Sequence, residues 1–131
     1  RVEQLVTAVD HPNFGVLVDM GNFLCADDEP TSAVGRLMPF AFHCHAKDFH
    51  VKSGSDFPPG QGWFTSRAGN YLRGAIIGHG QVPVVQCLRV MRKEGYNGIL
   101  SVEYEGIEDV LMGVQAGHDN LRKMVDLVEG Q

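Results

Sequence analysis

Asp19, His45 and Glu103 each stand at the end of a short, largely apolar run, after Val16-Leu17-Val18, Phe40 to Cys44 and Ile99 to Val102 respectively. Two carboxylates and an imidazole are donors that suit a hard or borderline divalent cation such as Mn²⁺, Mg²⁺ or Zn²⁺. An ion held by them would grip adjacent oxygens of a substrate and stabilise an enediolate by Lewis-acid polarisation. A carboxylate beside it would then move a proton at the carbon next to a carbonyl. Each residue alone also has a structural reading. A strand-end Asp often caps a turn, a His in an apolar strand is more often a satisfied core residue, and a lone Glu after Val102 is unspecific. Three ligand types at three strand ends are what make a site worth testing.

The elements that would position them alternate. Val2, Leu5, Val6 and Val9 recur at helical spacing, and His11-Pro12-Asn13 ends that helix. The run 15–18 reads as a strand buried on both faces. A helix follows over Thr31 to Met38, with Thr31 as its N-cap, and Pro39 stops it. Residues 40–48 read as one strand, and residues 52–83, rich in Gly and Pro, as a long loop and candidate lid. Within it, Ala75-Ile76-Ile77 is a possible short strand. Val84, Leu88 and Met91 mark a helix closed by Gly95, residues 99–102 a third buried strand, and Val114 to Val128 a closing helix.

This order implies an α/β fold of parallel βα units, whose carboxyl strand ends face one site. On that account Asp19, His45 and Glu103 converge, with His45 rather than His43 pointing in because it sits at the strand end. A full (β/α)₈ barrel needs about 250 residues, and this chain has 131. It is therefore either a small open sheet or the C-terminal portion of a larger barrel. The start at Arg1, without Met or a signal-like segment, reads as a fragment.

By the usual scaling, a chain of this size keeps roughly 6,800 Å² exposed and buries about two-thirds of its surface, enough for a single core. No apolar run approaches the ~20 residues of a membrane helix. With 16 acidic against 11 basic residues and a net charge of −5, the surface is wrong for nucleic acid, which is bound through clustered Lys and Arg. Cys25, Cys44 and Cys87 show no CxxC spacing, so neither a disulfide framework nor a zinc knuckle is indicated, and a reducing cytoplasm is expected.

Five segments together resemble the sugar phosphate isomerase/epimerase family, of the xylose isomerase-like TIM barrel superfamily. They are Leu17-Val18-Asp19-Met20-Gly21-Asn22, His43-Cys44-His45-Ala46-Lys47-Asp48, Ile77-Gly78-His79-Gly80, Glu94-Gly95-Tyr96-Asn97-Gly98 and Ser101-Val102-Glu103-Tyr104-Glu105. The resemblance runs from about Gly15 to Leu127. It implies that residues 1–131 are the C-terminal half of a (β/α)₈ barrel whose N-terminal half is not present. It further implies a divalent metal held by Glu, Asp, His and Glu. Asp19, His45 and Glu103 match the last three ligands, while the first Glu belongs to an earlier strand. Glu103 would also be one of two catalytic acid/base carboxylates in aldose–ketose isomerisation or epimerisation through an enediolate.

The match has departures. Asn22 stands where many of these epimerases have a substrate-binding His, Lys47-Asp48 where they have Gly-Glu, and His79 where Gly-Glu-Gly is common. Asn22, Lys47 and His79 are the expected substrate contacts, with Lys47 either binding a phosphate or carboxylate or pairing with Asp48. Trp63 and Phe64 would cover a sugar ring or pack on their own loop. The competing readings are a non-catalytic half-barrel that binds a sugar or a protein, and an endonuclease IV-like nuclease, which needs more ligands than this chain offers. Open strand edges and apolar sheet faces lead to the expectation of a homo-oligomer or of pairing with the missing half.

Overall fold

In the computed structural model, which describes residues 1–130, the chain runs α1 (Val2–Val9), β1 (Val16–Asp19), α2 (Pro30–Leu37), β2 (Ala41–Ala46), β3 (Asp48–Lys52), β4 (Phe64–Thr65), β5 (Tyr71–Ala75), α3 (Val84–Lys93), β6 (Leu100–Val102) and α4 (Val110–Glu129). β1, β2 and β6 form a parallel sheet in the order β1-β2-β6. Asp19 lies beside His45, and His45 beside Ser101. Parallel neighbours need long crossovers; α2 supplies the first, and α3 lies on the second.

Successive strand residues point to opposite faces, and in β2 buried Cys44 and Ala46 alternate with half-buried His43 and His45. Val18, Cys44 and Ala46 pack with Val34 and Leu37 of α2, Cys87, Leu88 and Met91 of α3, and Leu121 and Val128 of α4 in one core. The opposite face carries Leu17, His43, His45 and Ser101. The expectation of two apolar faces is thus corrected. Val18 is 1% exposed but Leu17 is 50% exposed, because a four-residue apolar run still alternates sides. The accessible surface, 7689 Å², exceeds the value expected for a closed globule of this length.

Three further readings change. The single strand over 40–48 breaks at Lys47: β2 stays in the parallel sheet, whereas β3 pairs antiparallel with β5, and β5 with β4. The segment 52–83 is therefore an antiparallel excursion, and the strand read at Ala75–Ile77 is Tyr71–Ala75 outside the parallel sheet. It is tied to the connection between β1 and α2, where Asp27 accepts from Ser66 Oγ at 2.6 Å and from the Ala68 N–H at 2.6 Å. Gly95 does close α3, with φ of 73° and the Tyr96 N–H reaching back to Met91 O.

Thr31 is not the N-cap of α2. Glu29 is: its carboxylate accepts from the Thr31 and Ser32 N–H groups at 2.9 and 2.7 Å, and Pro30 takes the first helical position. The Ser32 and then the Thr31 N–H hold the Glu29 carboxyl down to about 2. A depressed folded-state value contributes stability that is complete above the ordinary value near 4.5 and is lost as pH falls toward 2. Glu29→Ala should therefore destabilise the chain by about 0.5–1 kcal/mol near neutral pH. In denaturant melts the gap to wild type should close between pH 4.5 and pH 2. A gap independent of pH would contradict the cap.

Candidate metal centre

The Asp19 carboxylate is divided between two tasks. Oδ1 accepts from the Gly21 and Asn22 N–H groups, both at 2.9 Å, and so turns the chain at the end of β1. Oδ2 is buried without a hydrogen-bond partner. Gly21 permits that turn, since a Cβ there would lie 3.0 Å from Lys47 Cβ and Cγ. Beyond the strand pairs the ladder continues, with the Met20 N–H donating to His45 O and the Glu103 N–H to Ala46 O.

This register brings the three strand ends together. His45 Nδ1 is 2.7 Å from Glu103 Oε2 and 3.7 Å from Asp19 Oδ2. One ligand atom from each of Asp19, His45 and Glu103 lies within 4.8 Å of the others. The set fits a divalent cation: two carboxylates and an imidazole converge, and Asp19 Oδ2 is buried and accepts no hydrogen bond, its nearest cation being the Lys47 ammonium at 3.5 Å. His43 is outside the set. Its Nε2 is 3.0 Å from Ser101 Oγ, and its ring stands edge-on to His45 at 5.2 Å.

Lys47, the next residue along this face of β2, is only 3% exposed. Its Nζ lies 3.0 Å from Glu103 Oε1, 3.2 Å from Glu105 Oε2 and 3.5 Å from Asp19 Oδ2, and it donates to Asn22 Oδ1 at 3.2 Å. Burial works against the ammonium, but these carboxylates outweigh it and push Lys47 up. Burial likewise opposes ionisation of Glu103, yet its neighbours Asp19, Lys47 and His45 prevail and hold it down. Asp19 is pushed up, first by burial and then by the Glu103 carboxylate beside it.

Asn22 therefore joins the cluster, through Lys47. His79 does not: it is exposed in the Gly78–Gly80 turn, its N–H donating to Ile76 O. Trp63 lies between the cations of Lys52 and Arg73, and Phe64 packs edge-on against Phe49, so both rest on their own scaffold. Glu105 was not singled out from the sequence, although its spacing of two from Glu103 was the available signal. An open groove of about 680 Å³ runs along β1, lined by Leu17, Asp19, Asn22 and Arg67 among others. It reaches Asp19 but not His45 or Glu103.

The reading of a Lys47–Asp48 pair gives way to a different arrangement. Asp48, 1% exposed, accepts four backbone N–H groups: Phe49 and Val82 on Oδ1, Gly78 and Gly80 on Oδ2, at 2.8–3.0 Å. A Cβ on Gly80 would lie 2.3 Å from Asp48 Oδ1, so the Gly-His-Gly segment closes around this carboxylate. Asp48→Asn keeps the shape but turns an amide N–H₂ toward backbone donors. It should cost roughly 2–4 kcal/mol in chemical denaturation; a loss below about 0.5 kcal/mol would show that the clamp contributes little.

Comparison with known proteins follows the same line. A family model described as xylose isomerase-like TIM barrel matches residues 1–126. No curated protein matches. Among solved structures, a xylose isomerase domain protein from Planctomyces limnophilus superposes with a TM-score of 0.70 at 22% identity, covering 95% of this chain and 41% of that one. A xylose isomerase-like TIM barrel protein from Mycobacterium smegmatis, in complex with magnesium, gives 0.68 at 20% identity, covering 95% and 39%. A xylose isomerase domain protein from Alicyclobacillus acidocaldarius gives 0.66 at 20%, covering 97% and 42%. The chain thus spans about two-fifths of the length of these barrels. With three parallel strands, helices on one face and its polar strand ends converging, it is a partial barrel, and it belongs to the xylose isomerase-like TIM barrel family.

Proposed function

We propose that this chain supplies three ligands of a divalent-metal centre in a sugar or sugar phosphate isomerase or epimerase. The observation that carries the reading is the convergence of Asp19 Oδ2, His45 Nδ1 and a Glu103 oxygen, the first of them buried and accepting no hydrogen bond. The family includes sugar isomerases and epimerases as well as endonuclease IV-type nucleases. The acidic balance of the chain favours the former, and magnesium in the Mycobacterium smegmatis relative is in keeping with the donor set.

A bound divalent cation supplies Lewis-acid polarisation of a substrate carbonyl and its neighbouring hydroxyl. In this reading Glu103, held ionised by Lys47 and His45, takes a proton from the carbon next to that carbonyl. Asn22 and Lys47 offer an amide and an ammonium to substrate oxygens. The groove beside Asp19 is in the size range of small-ligand sites, and its wall includes the unpaired edge of β1, where a further strand of a barrel would pair. The fourth ligand and the second acid/base carboxylate expected from the resemblance would come from such strands. Barrel completion by the rest of the protein or by a second copy would also cover Val2, Leu5 and Val9 of α1, all at least 44% exposed.

Mn²⁺ titrated calorimetrically into the full chain should bind at one site, and Asp19→Asn and His45→Gln should each weaken binding at least about tenfold. Exchange of solvent deuterium into the carbon next to the carbonyl of a ketose or ketose phosphate, followed by NMR, should drop roughly 100-fold or more in Glu103→Gln. Metal binding unaffected by both ligand variants would overturn the centre, and exchange that survives Glu103→Gln would overturn the assignment of the base.

A further inference from the structure

We infer that Lys47 is a tethered counter-cation that competes with the metal for Asp19 and Glu103 and moves onto Glu105 and Asn22 when the metal binds. The inference rests on the metal-centre reading and goes beyond it by setting how tightly the centre holds its ion. The Lys47 ammonium contacts both carboxylate ligands, at 3.5 Å from Asp19 Oδ2 and 3.0 Å from Glu103 Oε1. Those two residues are also members of the three-residue cluster. One cation thus already serves the oxygens that a second cation must use.

Two further partners make the exchange feasible. Glu105 Oε2 and Asn22 Oδ1 each lie 3.2 Å from the same Nζ, and neither belongs to the metal-ligating set. The ammonium therefore has a resting place within hydrogen-bond reach and need not return to solvent. That matters because the side chain is only 3% exposed. Charge points the same way. Asp19, Glu103 and Glu105 bring three negative charges around one lysine, which leaves an excess of two when His45 is neutral. A divalent ion with Lys47 retained on Glu105 balances the site. Lys47 stays protonated throughout, so no proton transfer is involved.

Glu105 is the residue that decides where Lys47 rests, although it touches no metal-ligating atom. Its side chain is 53% exposed, so its replacement leaves the core intact. The two partners of the pair should act on metal affinity in opposite directions. A merely structural role for Lys47 would move both the same way.

The test is calorimetric titration of Mn²⁺ into the wild-type full chain, Lys47→Met and Glu105→Gln, with circular dichroism to verify the fold of each. Lys47→Met removes the competitor and should tighten Mn²⁺ binding about tenfold, while its metal-free melting temperature falls. Glu105→Gln removes the resting place and should weaken binding several-fold. Should Lys47→Met not fold, the Glu105→Gln result decides. Wild-type binding with equal or weaker affinity in Lys47→Met, or with unchanged affinity in Glu105→Gln, overturns the competition while leaving the metal centre standing. Absence of Mn²⁺ binding in all three forms overturns the metal centre itself.

Discussion

The hydrogen-bonded register of three parallel strands is the constraint on which the site depends. Asp19 is level with His45, and His45 with Ser101, so Glu103 emerges two residues beyond Ser101, on the same face of the sheet. A slip by one residue in any strand would send its ligand to the helix-packed face. The register is in turn specified by burial, because Val18, Cys44 and Ala46 reach the core only in this alignment. The same alternation that packs the core delivers Asp19, His45 and Lys47 to the other side. Core formation and site formation are thus one event.

Such an arrangement crowds like charges. Asp19 and Glu103 are brought together in a partly buried setting, which raises the energy of two ionised carboxylates. The sheet answers with backbone dipoles at Asp19 Oδ1 and with an ammonium and an imidazole against Glu103. The asymmetry is informative. Glu103 is well supplied with donors and is held ionised, while half of the Asp19 carboxylate is left without one. Buried acceptors without a hydrogen bond are uncommon, and here the Lys47 ammonium at 3.5 Å is the nearest cation.

The parallel sheet and the convergence of Asp19, His45 and Glu103 at its strand ends were legible in the sequence because apolar runs ending in a polar residue are a strong signal. The resemblance to sugar phosphate isomerases added the order of the motifs. What was illegible shares one cause: a residue's partner cannot be read from its neighbours. Residues 40–48 form an unbroken β-like run, yet the chain changes sheets at Lys47, since Asp48 is drawn to three N–H groups some thirty residues away. Thr31 is the more common capping residue type, yet Glu29 accepts the Thr31 and Ser32 N–H groups and Pro30 takes the first helical position, so the helix starts before Thr31. The Gly- and Pro-rich composition of 52–83 suggested a loop, while cross-strand pairing of Asp48 to Lys52 with Tyr71 to Ala75 made it a sheet.

The clamp at Asp48 has an evolutionary corollary. It fastens the point where the antiparallel excursion departs to the point where it returns, at Gly78 to Val82, while β2 and β6 hold the ligands by separate bonds. The largely exposed residues 57–61, between β3 and β4, can thus lengthen or shorten with little effect beyond loop-closure entropy, about 0.6 kcal/mol per doubling of length. Descendants of this scaffold could therefore remodel the excursion without disturbing the register that brings Asp19, His45 and Glu103 together. The cluster and the excursion would be inherited as separable modules.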